Sequence, residues 1–429
     1  MTTKDKCNEY QEWIKKLSFP VFILSMVFMI FYSNQAINYW ESPWSQLSII
    51  IACLLPLIFV IINETPTWLQ GKSLDTEIFF VPLIIFLGIL NVAFGEVFLP
   101  NLKGMGLFLL SGICIFVSAK FILKSHRAQT VFLWVCTFVL VVISLHSIYV
   151  RWWLDYSWIE FFSNNPILES VVVTLLITGP LILFQGQKTR FGQWGLAFCL
   201  LLGIITIIFI NQRAAMISLL IIFFLLGFIF VKRFWIYCVC VTIFATIAFN
   251  VGYQFHNKLP KKMVFSQSLE ALRSQPINRM EMYFFAYNLF KKYPFLGSGL
   301  WTPLTHHLFN YEEKLFITPK NDKTKFQEFV GSTKNTSFHN ILLCMFVQMG
   351  SLFTITYLAF IFYLLIKLYG FYKKSPENLL RIKLVLIIFT GFFLQSLSVD
   401  TLMYPDVNFL YHSLLGLISN FDSNINKTV

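Results

Sequence analysis

The sequence predicts an all-helical, polytopic membrane protein. Of its 429 residues, 57% are hydrophobic and only 13% are charged, and the mean hydropathy is +0.68. This composition is too apolar for a soluble globular domain. Apolar runs of about 20 residues, the length of helix that crosses the hydrocarbon core, recur from one end of the chain to the other.

Twelve apolar runs predict about twelve transmembrane helices. They lie at residues 19–37, 44–62, 78–98, 104–122, 130–150, 167–185, 194–210, 214–231, 234–252, 338–366, 382–399 and 405–420. A long polar segment, residues 253–337, separates the ninth run from the tenth. The predicted organisation is therefore helices 1–9 within residues 1–252, a large loop with amphipathic helices at 253–337, and helices 10–12 within 338–429.

The distribution of positive charge predicts the orientation. Basic residues precede the first run and recur in every second loop, whereas the short loops between hold only Lys103, Arg151 and Arg213. By the positive-inside rule, both termini are cytoplasmic and residues 253–337 face the periplasm of a Gram-negative cell. The net charge of +12 follows from these loops, so we expect no binding to nucleic acid.

Three charged residues are candidates for chemistry. Arg213 lies at a tight external turn, where an ionised group must snorkel, pair or face a polar cavity. Arg279 lies in the first turn of a helix that opens at Pro276, beside backbone N–H groups that favour an anion. His339 lies where the polar segment re-enters the membrane, and histidine suits general-base work near neutral pH. Taken singly, each also fits a plain structural role: a snorkelling arginine, a solvated charge and a satisfied polar residue.

The segment between Arg279 and His339 holds a turn or hinge. Tyr293 and Pro294 are followed by Gly297, Ser298 and Gly299, without the strand, lysine and spacing of a nucleotide-phosphate loop. The acidic and histidine residues of the 253–337 loop show no spacing typical of a metal site. We therefore expect neither a metal nor a cofactor.

Together these motifs resemble the O-antigen ligase and polymerase superfamily. The resemblance rests on Arg213, Arg279, the Lys292–Gly299 segment and His339 followed by Asn340, and the chain length and modest loop look most like the O-antigen ligases. Two departures affect the assignment of subfamily and acceptor: Asn211 and Gln212 stand before Arg213, and Gln348 stands where an acidic residue often precedes the glycine. The resemblance implies a glycosyltransferase type C-like fold.

The resemblance also implies a reaction. A glycan on undecaprenyl diphosphate is transferred to a hydroxyl of the lipid A core oligosaccharide at the periplasmic face of the bacterial inner membrane, without metal or ATP and with inversion. Arg213 and Arg279 would bind the donor diphosphate and His339 would be catalytic, as the general base. Possible supporting residues are Asn340, Asp400, Lys261 and Lys262. Arg273 remains an alternative to Arg279 as phosphate ligand, and the sequence predicts no oligomeric state.

Rival functions remain open. A polymerase or a protein O-oligosaccharyltransferase of the same superfamily would share the motif residues and differ in the acceptor. A transporter of the lipid-linked glycan would need no covalent chemistry. Transporters usually place ionisable groups near the middle of the bilayer, whereas the candidate charges here lie at external ends of the predicted helices. This placement favours an enzyme that also contacts membrane lipids.

Overall fold

The computed structural model describes residues 3–36, 43–69, 76–153, 166–210, 213–230, 276–301, 338, 340–374, 379–397 and 401–420. These residues form helices joined by short turns, and no strand occurs among them, which confirms the all-helical class. The helices are α1 Thr3–Ala36, α2 Pro43–Leu69, α3 Thr76–Phe94, α4 Phe98–Phe108, α5 Ile115–Ile122, α6 His126–Trp153, α7 Pro166–Leu176, α8 Thr178–Gly186, α9 Arg190–Ile210, α10 Arg213–Phe230, α11 Pro276–Lys292, α12 Ile341–Cys344, α13 Gly350–Lys374, α14 Leu379–Ser396 and α15 Pro405–Ser419. Two π-helical turns, Leu109–Cys114 and Met345–Met349, connect α4 to α5 and α12 to α13.

Seven helical segments of the described residues are long and apolar enough to cross a membrane. They are Glu12–Tyr32, Gln46–Glu64, Thr76–Phe94, Phe98–Ile122, His126–Tyr149, Arg190–Ile207 and Ile341–Gly370. Each overlaps a predicted run, so the chain is a multi-pass membrane protein. The run at 234–252 lies outside the described residues, and the count of twelve and the periplasmic loop remain predictions.

One predicted run is interrupted in the structure. The run at 167–185 is broken at Ile177 between α7 and α8. Pro180 explains the break, because proline has no N–H to donate to the carbonyl four residues earlier and its ring crowds that carbonyl.

Helix α15 is the centre of the bundle, with every residue from Pro405 to Ser419 buried. Two of its polar residues, Asn408 and His412, form hydrogen bonds to neighbouring helices. Asn408 Nδ2 donates to Phe108 O at 2.9 Å and to Ser111 Oγ at 2.9 Å, at the π-helical turn after α4. His412 Nδ1 donates to Asn408 O at 2.9 Å, so in the neutral ring Nε2 accepts from the Tyr357 hydroxyl at 3.0 Å. These bonds allow a polar helix to occupy the core.

At one end of the bundle, a buried carboxylate connects three helices through ion pairs. Glu77 Oε1, at the start of α3, accepts from Lys120 Nζ at 2.5 Å and from Lys367 Nζ at 2.7 Å. Asn420, just after α15, donates to Lys120 O at 2.6 Å. We call this the lysine end, and the charge pattern predicts it to be cytoplasmic. The opposite ends of α3, α4 and α13 meet at the other end of the bundle, which carries the candidate site.

Candidate functional site

The sequence-predicted turn lies at this second end, which we call the turn end, and it is buried. Gly297 has φ of +78° and Gly299 has φ of +105°, values that glycine adopts without a steric penalty. Ser298 between them is 1% exposed. The glycines are therefore required by the shape of the turn, which confirms the prediction of a turn.

The turn is bonded to the second π-helical turn and to the first residues of α13. Four backbone hydrogen bonds join the two: Ser298 N to Val347 O at 2.9 Å, Gly299 N to Gln348 O at 2.9 Å, Ser351 N to Pro294 O at 2.9 Å and Leu352 N to Phe295 O at 3.2 Å. Such a ladder fixes the relative position of two segments far apart in sequence. The alternative of a hinge does not fit this arrangement.

Glycine at position 350 makes the close approach possible. Gly350 has φ of +83° and ψ of 166°, a conformation that is almost confined to glycine. A methyl group there would lie 2.3 Å from Phe295 O and 2.5 Å from Gly297 N. A methyl group on Gly297 would lie 2.4 Å from Gln348 O. Both glycines are needed because two backbones touch at this point.

Two asparagines of the preceding helices complete the connection. Asn91 Nδ2 donates to Leu296 O at 2.5 Å and to Gln348 O at 2.8 Å. Asn101 Nδ2 donates to Asn91 O at 2.7 Å, and Asn101 Oδ1 accepts from Leu300 N at 2.7 Å. Asn91 and Asn101 are both 0% exposed. They form hydrogen bonds with backbone carbonyls and an N–H of the irregular segment, which an apolar environment would leave without partners.

The two neighbours of the predicted base are described at this end of the bundle. His339 itself is outside the described residues, but both of its neighbours are described. Phe338 is 1% exposed, and its ring lies 6.3 Å from that of Phe285 on α11, measured between centroids. Asn340 is the N-cap of α12, with its side chain accepting a hydrogen bond from Leu343 N at 3.1 Å. The structure therefore assigns Asn340 a capping role that the sequence did not predict.

Helix α11 begins at Pro276, as the sequence predicts, and places Arg279 in its first turn. The side chain of Arg279 is outside the described part. Farther along the helix, Phe285 and Leu289 are buried, whereas Tyr283 and Tyr287 are 37% and 55% exposed. The rings of Tyr283 and Tyr287 thus face outward, whereas Phe285 packs against Phe338, next to His339 in the sequence.

Arg213 is the first residue of α10, which packs along α14. By helical spacing, position 213 shares a face with Ile217 and Leu220, which are 56% and 53% exposed, while Ala215 and Ser218 are buried on the opposite face. The side chain of Arg213 is outside the described part. The position is therefore on the face of α10 that the described helices leave uncovered.

The remaining predicted residues lie outside the described residues: Lys261, Lys262, Arg273 and Asp400. The structure thus places the backbone of Arg213 and Arg279 and both neighbours of His339. No group of three or more histidine, cysteine or acidic side chains that could hold a metal ion occurs within the described ranges.

Part of the turn end lies in a region that matches a known protein family. Residues 198–358, which contain α10, α11, the buried turn and the start of α13, match one family model. That family is O-antigen ligase. The match confirms the resemblance and implies a membrane glycosyltransferase of the O-antigen ligase and polymerase kind. No curated protein matches the chain.

Sequence reasoning missed the two asparagines of this O-antigen ligase-like chain. Asn91 and Asn101 lie within or beside apolar runs, where an unpaired amide is costly, and that alone could have marked them. The structure also explains how glutamine can stand at position 348, where the superfamily often has an acidic residue. Its backbone carbonyl accepts from Asn91 and from Gly299, so these contacts depend on the main chain and not on the side chain.

Proposed function

We propose that the chain is an O-antigen ligase, which transfers a glycan from undecaprenyl diphosphate to a hydroxyl of the lipid A core oligosaccharide. The observation that carries the proposal is the family match over residues 198–358, which includes all three predicted site residues. The packing of α11 against Phe338 supports it, because it brings the helix of Arg279 to the segment of His339. The proposed site is at the turn end, facing the periplasm of a bacterial inner membrane.

The roles of the residues follow from the chemistry of the donor. Cleavage of a sugar–diphosphate bond leaves growing negative charge on the diphosphate, and planar guanidinium groups stabilise it through paired charge-assisted hydrogen bonds. We assign this role to Arg213 and Arg279. His339 removes the proton of the attacking hydroxyl. Direct displacement inverts the anomeric centre and uses neither ATP nor a metal ion. Residues 253–337 would cap this end, with Lys261 and Lys262 near the anionic headgroups and Asp400 in support.

The test uses purified protein, a lipid-diphosphate-linked glycan and lipid A core, with no nucleotide and no metal. Wild type should transfer the glycan, and His339→Ala should abolish transfer. His126→Ala is the matched control, because His126 is exposed and lies near the lysine end. Equal activity of His339→Ala and wild type would contradict the role of His339.

The arginines are tested in the same assay. Arg213→Lys should lower transfer strongly, because a point charge does not reproduce the bidentate guanidinium. Arg127→Lys, an exposed position near the lysine end, should leave it unchanged. Lengthening of the lipid-linked glycan without transfer to the core would assign the chain to the polymerases. Neither product would favour a transporter.

A further inference from the structure

Helix α4 has one outward face, which begins at the turn end. Leu99, Leu102, Lys103 and Gly106 recur at three- and four-residue spacing, so they lie on the same side of the helix. Leu99 and Leu102 are 58% and 44% exposed, and Lys103 is exposed as well. No described atom lies within 4 Å of a methyl group added to Gly106. The face is therefore open to the lipid around the bundle.

Lys103 is an unusual residue for such a face. A charge exposed to lipid is costly and rare, and basic residues are scarce on the external side, where the charge pattern places Lys103. At the same end, Lys292 pairs with Glu96 at 3.5 Å, and Lys291 Nζ lies 4.4 Å from the centre of the Tyr287 ring. Lys103 forms no ion pair or hydrogen bond within the described part of the chain. A counter-charge for it must come from another molecule.

The helix sets the depth of the ammonium group. Phe98 begins α4 at the turn end, and Lys103 Cα lies about 7.5 Å farther along the axis. The Cα–Cβ bonds of a helix tilt toward its N-terminus, so the lysine side chain leaves the helix toward the turn end. Gly106 lies about 4.5 Å deeper and leaves a notch in the helix surface. A cation above an apolar notch matches a lipid with an anionic headgroup and a hydrocarbon chain.

The position of this face selects the acceptor lipid. The donor diphosphate is assigned to Arg213 and Arg279, on α10 and α11, so the acceptor must approach His339 from another side of the turn end. Another face of the same stretch of α4 holds Asn101, whose Oδ1 accepts from Leu300 N at 2.7 Å. A lipid on α4 would thus be held in a fixed position relative to the buried turn. Lipid A has phosphate groups on its sugar headgroup and acyl chains below them.

We propose that Lys103 and the notch at Gly106 form a docking site for the lipid A part of the acceptor. Lys103 binds a phosphate of the headgroup, and one acyl chain lies against Gly106 between the flanking leucines. This inference rests on the proposed function and names the residues that hold its acceptor. An ammonium group has three donors on a flexible stem, which suits a phosphate oxygen. The site orients the acceptor and takes no part in breaking the sugar–phosphate bond.

The test measures the binding of lipid A to purified protein in a neutral detergent. Wild type should bind bisphosphorylated lipid A about fivefold more tightly than dephosphorylated lipid A, the contribution expected for one lysine near a membrane surface. Lys103→Gln should remove most of this preference, and Lys103→Arg should keep it. Lys291→Gln is the matched control, because Lys291 is exposed at the same end of the bundle. An unchanged preference in Lys103→Gln, or an equal loss in Lys291→Gln, would overturn the proposal.

The notch is tested by filling it. Gly106→Leu places a side chain where the acyl chain would lie, so it should weaken the binding of both forms of lipid A and keep the phosphate preference. Its thermal stability should equal or exceed that of wild type, because leucine is the better helix former. Gly195→Leu on α9 is the matched control, since no described atom lies within 4 Å of its added methyl. Wild-type affinity in Gly106→Leu would refute the notch.

Two further measurements separate the inference from its alternatives. Phosphatidylglycerol that displaces lipid A equally well from wild type would make the surface a general site for anionic lipids, which overturns the assignment to lipid A. Transfer is measured in parallel. Binding that depends on Lys103, without transfer by wild type, would support this inference while the ligase proposal fails. Transfer by wild type, with a KM for lipid A core that Lys103→Gln leaves unchanged, would refute the inference and keep the ligase.

Discussion

Replacing Gly350 by alanine should detach the buried turn from α13. The added methyl group would lie 2.3 Å from Phe295 O, 2.4 Å from Leu296 C and 2.5 Å from Gly297 N, all of which are backbone atoms. Contact distances for such atoms exceed 3 Å, so the two segments must separate by about 1 Å. The positive φ costs a further 1–3 kcal/mol or so. Separation also weakens the four backbone hydrogen bonds, at about 1 kcal/mol each.

The combined loss for Gly350→Ala is about 4 kcal/mol. We would measure it as a fall in the midpoint of thermal unfolding for detergent-purified protein, followed by size-exclusion chromatography. Gly370→Ala is the matched control: it lies in the same helix, and no described atom is within 4 Å of its added methyl. It should match wild type. Transfer activity of Gly350→Ala should also fall. Asn340, which follows His339, caps the short helix that continues through the π-helical turn to Gly350. Wild-type stability and activity in Gly350→Ala would refute the reasoning.

Three further substitutions, with Lys124→Ala as a control, test the internal contacts by the same thermal measurement. Asn91→Leu should destabilise by about 2 kcal/mol, because Leu296 O and Gln348 O each lose the hydrogen bond from Asn91 Nδ2; no change would mean that the turn does not depend on these bonds. Glu77→Gln should cost about 3–5 kcal/mol, since it leaves Lys120 and Lys367 without their shared carboxylate. Lys124→Ala removes a partly exposed ion pair and should cost less than about 1 kcal/mol. Equal effects of the two substitutions would contradict the burial of the Glu77 ion pairs. Asn408→Leu should cost about 1–3 kcal/mol, because it removes the hydrogen bonds that Asn408 Nδ2 donates to Phe108 O and Ser111 Oγ. Unchanged stability would show that the π-helical turn does not depend on these bonds.

Local signals predicted much of the fold. Hydrophobic length indicated the membrane helices, because a crossing needs a fixed number of apolar residues whatever their neighbours. Pro276 correctly marked the start of α11, since proline suits the first turn of a helix. The glycines at 297 and 299 indicated a turn, as their backbone freedom is itself a local property.

Spacing could not tell which face of α11 is buried. The stripe that includes Tyr283 and Tyr287 is exposed, whereas Phe285 and Leu289 pack inward. In a membrane protein both faces of a helix can be apolar, because lipid and protein core are alike in polarity. Hydrophobicity therefore loses the power to separate inside from outside that it has in water.

The sequence by itself determined that this is a helical, multi-pass membrane chain with O-antigen ligase motifs, since composition, run length and motif residues are read directly from it. Tertiary structure decided how the turn, the π-helical segment and Gly350 come together, and that Asn91 takes part. Asn91 contacts a carbonyl 205 residues away. Such contacts depend on which helix ends meet, and no local preference of the chain specifies that.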